Sequence, residues 1–258
     1  GDSFISTVDR KELGQWQLGK ILKLGATVKV SSKVTKICKN HVVVNNYEKI
    51  GFRHLVGADG SASIVRKHIG LEVSDLGMAI QYIIPTKKYR KLEAFLDSDI
   101  FHSWYCWIFP HRDFVSIGCG SNPRLISPQK LRKNFDKWLK DNKINVSAGK
   151  FEAFPINSDY RGCRFGKIYL VGDAAGLASG YTGEGIYQAL VSGEEVAKMI
   201  VDKKYVSECV DGLVAVNRRH SKLLRFFETS GYLRKLEYEL LVLGVRNRFV
   251  RKLVGCVI

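Results

Sequence analysis

Residues 171–186 read VGDAAGLASGYTGEGI, and this stretch decides the fold. The apolar run Ile168–Val171 predicts a buried strand, a Gly-rich loop follows it, and a helix is expected to start at Gly183. Gly172 allows a ligand to approach the backbone closely, and Asp173 can accept hydrogen bonds from ribose hydroxyls. A helix N-terminus favours phosphate and other electron-rich groups. The stretch therefore indicates a place where a phosphorylated cofactor lies against the backbone.

A second run, GADGSASIVR at residues 57–66, repeats this pattern of strand, acidic turn and helix start. A plain helix cap explains this run equally well, because Asp and Ser are good caps. The opening fingerprint of such folds, Gly-x-Gly-x-x-Gly on a first strand, is absent from the 258 residues. We therefore expect a fold that lacks its first βαβ unit. Because the chain begins at Gly1 without a methionine, we expect a fragment or a processed chain.

Net charge and the cysteine and histidine spacing limit the kinds of partner and site that this protein can have. The net charge of +16 favours nucleic acid, anionic membrane or phosphorylated ligands as partners, and a solvated Lys-rich surface is the plain alternative. The six cysteines and six histidines show no metal-ligand spacing, so we expect no metal site. A signal peptide and a membrane-spanning apolar run are both missing. A reducing cytoplasm is the simplest compartment.

The chain divides into four pieces. A first helix runs from a cap at Thr7 or Asp9 to about Leu24, and Gly25 ends it. The expected strands are Thr27–Val30, Val34–Cys38, Val42–Val44, His54–Ala58, Met78–Ile84, Ile100–Phe109, Phe114–Gly118, Phe151–Ile156 and Ile168–Val171. A short helix is expected to start near Ser61, and longer helices are expected over Pro128–Leu139 and Gly183–Ile200. The segment Asn217–Ile258 is also expected to be helical, with breaks at Gly231 and Gly244.

This order predicts an α/β (α+β) fold with a discontinuous cofactor domain. Residues 1–74 and 153–204 form that domain, and residues 75–152 form an inserted antiparallel sheet. Residues 205–258 form a C-terminal helical segment. Its basic and apolar side chains alternate, which is typical of a helical cap packed on the body or of a helix on an anionic lipid surface. No nucleic-acid-binding motif is found, so we expect no nucleic-acid partner.

The run YCWIFP at residues 105–110, followed by GCG at 118–120, is the most unusual part of the insert. On a strand, Tyr105, Trp107 and Phe109 share one face. Such a row belongs either to a core or to a wall that contacts a long apolar ligand.

Together these motifs resemble a known class. GADGSASIVR and VGDAAG…GEGI resemble the two downstream fingerprints of the FAD-dependent hydroxylases typified by para-hydroxybenzoate hydroxylase. Val8-Asp9-Arg10 resembles the segment that enters the second half of that class. Within the class, YCWIFP…GCG is similar to the pattern of the geranylgeranyl and digeranylgeranylglycerophospholipid reductases. The resemblance is strong from Val8 to Ile200 and weak in the tail.

The resemblance implies a set of site residues. Those implied to contact FAD are Arg10, Val34 through its backbone, Asp173, Gly185, Ile186 and, as a weaker candidate near the adenosine, Asp59. Those implied to face the flavin and the substrate are Tyr105, Trp107, Phe109, Gly118 and Gly120. The loop 179–182 lacks the proline common in the class, which bears on its conformation. No residue can be assigned as proton donor, and without the first unit FAD binding is expected to be poor.

The implied activity is that of a flavoprotein oxidoreductase of isoprenoid and phospholipid biosynthesis, acting on CH–CH groups. It reduces geranylgeranyl double bonds in archaeal-type ether lipids. Its partners are a prenylated phospholipid or geranylgeranyl diphosphate, an external electron donor such as NAD(P)H or a ferredoxin-like protein, and an anionic membrane surface met peripherally. Two alternatives stay open: an FAD monooxygenase or halogenase acting on a small aromatic, and a non-catalytic lipid-binding fragment.

Overall fold

The computed structural model describes residues 7–74 and 76–246, apart from the side chains of Tyr232, Leu241 and residues 244–246. Its helices are α1 (Arg10–Lys23), α2 (Ile64–His68), α3 (Ser98–Phe101), α4 (Pro128–Asp141), α5 (Gly172–Ala175), α6 (Ile186–Val201), α7 (Glu208–Thr229) and α8 (Arg234–Arg246). Its strands are β1 (Val34–Ile37), β2 (His41–Val44), β3 (Glu48–Gly51), β4 (Leu55–Gly57), β5 (Leu76–Ile84), β6 (Glu93–Leu96), β7 (Tyr105–Pro110), β8 (Val115–Ser121), β9 (Lys150–Asn157), β10 (Arg164–Phe165) and β11 (Ile168–Leu170).

The inserted sheet is antiparallel, with the strand order β6-β7-β8-β5-β9. Because side chains alternate along a strand, Cys106 and Ile108 of β7 point to one face. There they join a hydrophobic core with Leu131 and Phe135 of α4. Ser127 caps α4, and its hydroxyl accepts the N–H of Lys130 at 3.3 Å. The aromatic side chains of β7, Tyr105, Trp107 and Phe109, lie on the opposite face of the sheet.

A smaller sheet has the order β10-β11-β4, and β11 runs parallel to β4 with Leu170 opposite Gly57. Parallel strands end at the same edge of a sheet, so the turns that follow β4 and β11 lie side by side. α2 packs directly on β4, because a Cβ at Gly57 would lie 2.7 Å from the Cβ of Val65. The second hydrophobic core includes Leu170 and Val196 and lies between this sheet and α6.

α1 begins at Arg10, and the Asp9 carboxylate caps it by accepting the N–H groups of Lys11 and Glu12. As far as the described residues reach, no side chain of α1 is buried, and Trp16 is 59% exposed. The strand predicted at Thr27–Val30 is wrong. These residues are exposed irregular backbone without a strand partner in the described structure, and a strand needs such a partner to form.

The predicted strand Ile100–Phe109 is wrong in its first half. Residues 98–101 form α3, and His102 has a φ of +58°, which turns the chain before β7 starts at Tyr105. Asn45 and Asn46 both have positive φ and form the turn between β2 and β3.

The predicted helix start at Gly183 is wrong, because α6 begins at Ile186 with Gly185 as its N-cap. Gly183 has a φ of +72° and belongs to a turn instead. The helix predicted from Asn217 starts earlier, at Glu208, where Ser207 caps it. The break at Gly231 is confirmed by a 3-10 turn over Gly231–Leu233, whereas α8 continues through residue 244.

The predicted inserted sheet ends at residue 152. Its last strand, β9, continues beyond that residue and pairs with β5 as far as Asn157. The part of the tail prediction that concerns residues 247–258 lies outside the described residues. Among the residues that are described, no helix combines the length and the apolar character needed to cross a bilayer.

Candidate functional site

The stretch after β11 forms two tight turns around a short helix. Gly172 and Gly176 have φ values of +52° and +81°, which favour glycine. A Cβ at Gly176 would lie 2.3 Å from the Asp159 carbonyl oxygen, so another residue would not fit there. The chain then folds back, and α6 starts at Ile186 with Gly185 as its N-cap. No side chain in the described part of the chain caps that start. The first N–H groups of α6 are therefore donors for an incoming acceptor.

Asp173 lies beside this helix start. The Ser61 hydroxyl donates to its Oδ2 at 2.9 Å, which joins the turn after β4 to the turn after β11. Its Oδ1 lies 2.8 Å from where a Cβ on Gly185 would stand. Burial raises the pKa of the Asp173 carboxyl, while the Ser61 hydroxyl and the charge of Arg10 act in the opposite direction. A half-buried carboxyl group next to free N–H donors suits the hydroxyl groups of a cofactor.

The aromatic row of β7 lies on the sheet face opposite the core. Tyr105, Trp107 and Phe109 are half-buried, whereas the intervening Cys106 and Ile108 are buried. Adjacent rings of the row lie 5.8 and 5.9 Å apart between centroids. The prediction that the three side chains share a face is confirmed. None of the three joins either hydrophobic core of the described residues, which favours the ligand-wall interpretation over the core interpretation.

A chain of polar groups fixes the tryptophan in this row. The Trp107 indole N–H donates to the Ser116 hydroxyl at 2.9 Å. Ser116 donates to the Gln81 side-chain oxygen at 2.7 Å, and the Gln81 amide donates to Glu152 at 3.1 Å. The chain crosses four strands of the sheet. It holds the indole in one orientation on an otherwise apolar wall.

The two glycines of the GCG run make room for two indole rings. A Cβ at Gly118 would lie 2.3 Å from the ring of Trp107, and a Cβ at Gly120 would lie 2.2 Å from the ring of Trp104. Gly77 on the neighbouring strand receives the same Trp104 ring, with a built Cβ at 2.5 Å. Gly120 therefore contacts Trp104, a residue that the sequence analysis did not select. The sequence feature that could have indicated this contact is Gly120, because a glycine within a strand often marks the close approach of a large side chain.

Two contacts join the sheet face to the cofactor side. The Tyr105 hydroxyl donates to the carbonyl of Thr182, in the loop before α6. Burial, with the nearby charge of Glu184, raises the pKa of Tyr105, so the phenol stays protonated and remains a donor. On the other side, the guanidinium carbon of Arg10 lies 5.5 Å from the centre of the Phe154 ring. The structure thus brings together most of the predicted residues on one side of the sheet.

The two remaining predicted residues, Val34 and Asp59, have backbone partners in their own neighbourhood. Val34 opens β1 in the hairpin sheet, where it pairs with Val44 next to a bulge. The Asp59 carboxylate accepts the N–H groups of Ile64 and Val65 at 2.8 and 3.3 Å. Asp59 therefore serves as a cap for α2 in this structure, which matches the cap interpretation of GADGSASIVR.

Arg66 is the functional neighbour that sequence reasoning missed. It is 1% exposed, and it donates to the carbonyls of Asp159 at 2.8 Å and Ala174 at 3.4 Å. Asn157 also supports this turn, because its amide donates to the Asp173 carbonyl at 2.8 Å. Arg66 stands within GADGSASIVR, yet its sequence spacing could not reveal that its partners lie about a hundred residues away.

Comparison with known proteins defines the class. Residues 23–200 match the family described as FAD binding domain. The chain belongs to this family, and FAD is the cofactor that the family binds. The geometry fits that cofactor: α6 presents free N–H donors, Gly185 lets the backbone lie against Asp173 where a side chain would not fit, and the turn after β11 is held by Arg66.

Two curated relatives narrow the class. Geranylgeranyl diphosphate reductase of Arabidopsis thaliana chloroplasts is 34% identical over 60% of this chain and 36% of its own length. Digeranylgeranylglycerophospholipid reductase of Methanococcus vannielii is 26% identical over 78% of this chain and 57% of its own length. The chain therefore spans less than two thirds of the length of these relatives.

A solved structure supports the fold. A geranylgeranyl bacteriochlorophyll reductase-like protein from Thermoplasma acidophilum aligns with a TM-score of 0.69 at 20% identity. The alignment covers 96% of this chain and 75% of that protein. The predicted mixed α/β fold of the para-hydroxybenzoate hydroxylase-like class is thereby confirmed.

Proposed function

We propose that this chain belongs to an FAD-dependent oxidoreductase that reduces the double bonds of geranylgeranyl chains. The observation that carries the proposal is the link from the aromatic row to the start of α6, made by the Tyr105 hydroxyl and the Thr182 carbonyl. This link places an apolar aromatic wall next to a helix start that suits FAD. The names of the two curated relatives support the same substrate class.

Each part of the site has a distinct role in this proposal. Once bound and reduced by the external donor, FAD would supply a hydride to one carbon of the C=C bond, and a proton would reach the other carbon. Arg10, Asp173 and the N–H groups of Gly185 and Ile186 hold the cofactor, and Val34 contacts its adenine end through the backbone. Tyr105, Trp107 and Phe109 hold the prenyl chain and exclude water, while Gly118 and Gly120 seat the indoles. This division follows the proposed domains: residues 1–74 and 153–204 bind FAD, and residues 75–152 bind substrate.

We further propose that the physiological substrate carries an anionic headgroup, as a prenylated phospholipid or geranylgeranyl diphosphate does. The net charge of +16 and the match to a digeranylgeranylglycerophospholipid reductase support an archaeal-type ether lipid. An external donor supplies the electrons. The protein is proposed to be cytoplasmic and to meet its lipid at a membrane surface through the exposed basic residues of α7.

The test combines a cofactor assay with a turnover assay. FAD is titrated into the chain extended at its N-terminus to include the expected first βαβ unit, and quenching of flavin fluorescence reports binding. The chain is then incubated anaerobically with FAD pre-reduced by dithionite and with geranylgeranyl diphosphate. Mass spectrometry of the product should show two added hydrogens for each double bond reduced.

A matched pair of variants locates the substrate wall. Phe109→Ala removes a ring from the proposed wall, and Phe95→Ala removes one from the opposite side of the sheet. Turnover should fall for Phe109→Ala and persist in folded Phe95→Ala. Oxygen-dependent product on a small aromatic, with no prenyl reduction, would favour the monooxygenase or halogenase alternative and overturn the proposal.

A further inference from the structure

α7 packs along residues 177–181, which form the loop before α6. The Asn217 amide donates to the carbonyls of Leu177 and Ala178 at 2.7 and 3.3 Å. One turn later, Nδ1 of His220 lies 2.8 Å from the Ser179 hydroxyl oxygen. A helix of the C-terminal segment thus fixes a loop of the cofactor domain.

Further along, ring stacking continues this contact. The Phe227 ring stacks on Tyr181, with centroids 6.1 Å apart and planes 20° apart. Ser221 approaches the same loop, since its hydroxyl lies 3.7 Å from where a Cβ on Gly180 would stand. α7 therefore contacts Leu177, Ala178, Ser179 and Tyr181 of this loop.

The bond between His220 and Ser179 is the central contact of this set. Ser179 is fully buried and His220 is 2% exposed. Burial lowers the pKa of His220, so its ring is neutral at neutral pH. Within the described residues, Nε2 of His220 has no hydrogen-bond partner, so Ser179 is the polar group that holds the ring. A buried hydrogen bond of this kind fixes both partners more strongly than an exposed one.

Ser179 passes this constraint to the rest of the loop. Its hydroxyl accepts the N–H of Thr182 at 3.1 Å, and its backbone bonds to Glu184 and Gly183 at 2.8 and 3.0 Å. The Thr182 carbonyl is the group that receives the Tyr105 hydroxyl. The chain of contacts therefore runs from α7 through the loop to the substrate face, directly before the N-cap of α6.

We propose that His220 is a positioning residue of the cofactor site, which holds residues 179–184 in the conformation that presents the start of α6 to FAD. The proposal rests on the proposed function for the identity of the ligand. It assigns a role to α7 that neither the family match nor the named relatives supply, because the matched family region ends at residue 200.

Three variants of α7 test it. His220→Leu keeps the side-chain volume and removes the bond to Ser179. His220→Asn keeps an amide group where Nδ1 stands and should restore the bond. Arg219→Ala changes the exposed neighbour and serves as the matched control.

Amide hydrogen exchange is measured on the loop 177–185 and on β5 and β8. His220→Leu should raise exchange of the Thr182 and Gly183 amides by about tenfold, because a buried hydrogen bond is lost. Exchange in β5 and β8 should not change, the asparagine variant should recover most of the protection, and Arg219→Ala should match the original chain. Unchanged loop exchange in His220→Leu, or an equal rise throughout the chain, would overturn the positioning role.

FAD titration forms the second arm of the test. His220→Leu should weaken FAD binding about tenfold, and His220→Asn should recover it. A looser loop with unaltered FAD affinity would overturn the link to the cofactor. If the chain extended at its N-terminus binds no FAD, the proposed function fails, whereas the exchange data still decide whether His220 holds the loop.

Discussion

The fit between Gly118 and Trp107 can be tested by adding a single methyl group. In Gly118→Ala the new Cβ would stand 2.3 Å from the indole ring and 2.6 Å from the Ile80 carbonyl oxygen. The indole can move, but the Ile80 carbonyl belongs to the neighbouring strand and is fixed by the sheet. The substitution must therefore displace both the ring and the backbone of β8.

The expected cost follows from these two overlaps. Overpacking of a well-packed position costs about 1–3 kcal/mol. Displacing the indole also breaks its hydrogen bond to Ser116, which contributes about 1 kcal/mol. Replacing glycine by alanine returns up to about 1 kcal/mol by restricting the unfolded chain. We expect Gly118→Ala to lower the free energy of unfolding by about 1–4 kcal/mol, the range to which these contributions sum.

Urea unfolding monitored by circular dichroism measures this change. Gly51→Ala is the matched control, because Gly51 also lies in a strand and its built Cβ meets only the Asn40 oxygen, at 3.7 Å. Its stability should stay within about 1 kcal/mol of the original chain. Near-ultraviolet circular dichroism should change for Gly118→Ala, because an indole has moved. Equal stability of the two variants would refute the reasoning.

Three further substitutions probe the site. Arg66→Leu should lower the free energy of unfolding by roughly 2–4 kcal/mol in urea titrations, because two buried carbonyls lose their charged donor. Tyr105→Phe should weaken FAD binding about tenfold in fluorescence titrations, because the loop loses its bond to β7. Asp173→Asn should stabilise the chain at neutral pH in thermal unfolding. The raised pKa of Asp173 means that the folded state prefers the protonated form, so stability is highest below the ordinary carboxyl pKa and falls as pH rises through the folded value.

Each of these three predictions has an outcome that would contradict it. An Arg66→Leu variant within about 0.5 kcal/mol of the original chain would show that the arginine is dispensable for folding. Tyr105→Phe contradicts its prediction if stability falls while FAD affinity is kept. For Asp173→Asn, the same decline in stability between acid and neutral pH as in the original chain would mean that this carboxyl is not the group responsible.

The sequence predicted the site where residues act through local backbone geometry. The glycines and Asp173 of the stretch after β11, and the period-two aromatic row of β7, need only strand and turn rules to be recognised. The helix was predicted to start at Gly183 but starts at Ile186, because the composition of a Gly-rich loop does not reveal which glycine turns the chain. The exposed segment Thr27–Val30 was misassigned because apolar residues alone do not provide a strand partner.

The sequence by itself determined the family fingerprint, the insertion of an antiparallel sheet, and the shared face of Tyr105, Trp107 and Phe109. Only the tertiary structure decided which residues hold that site together. Arg66 meets Ala174, Trp104 lies over Gly120, and His220 meets Ser179, and each pair is separate in sequence. Local propensity extends over one turn or one strand, whereas these contacts depend on how whole elements pack against one another.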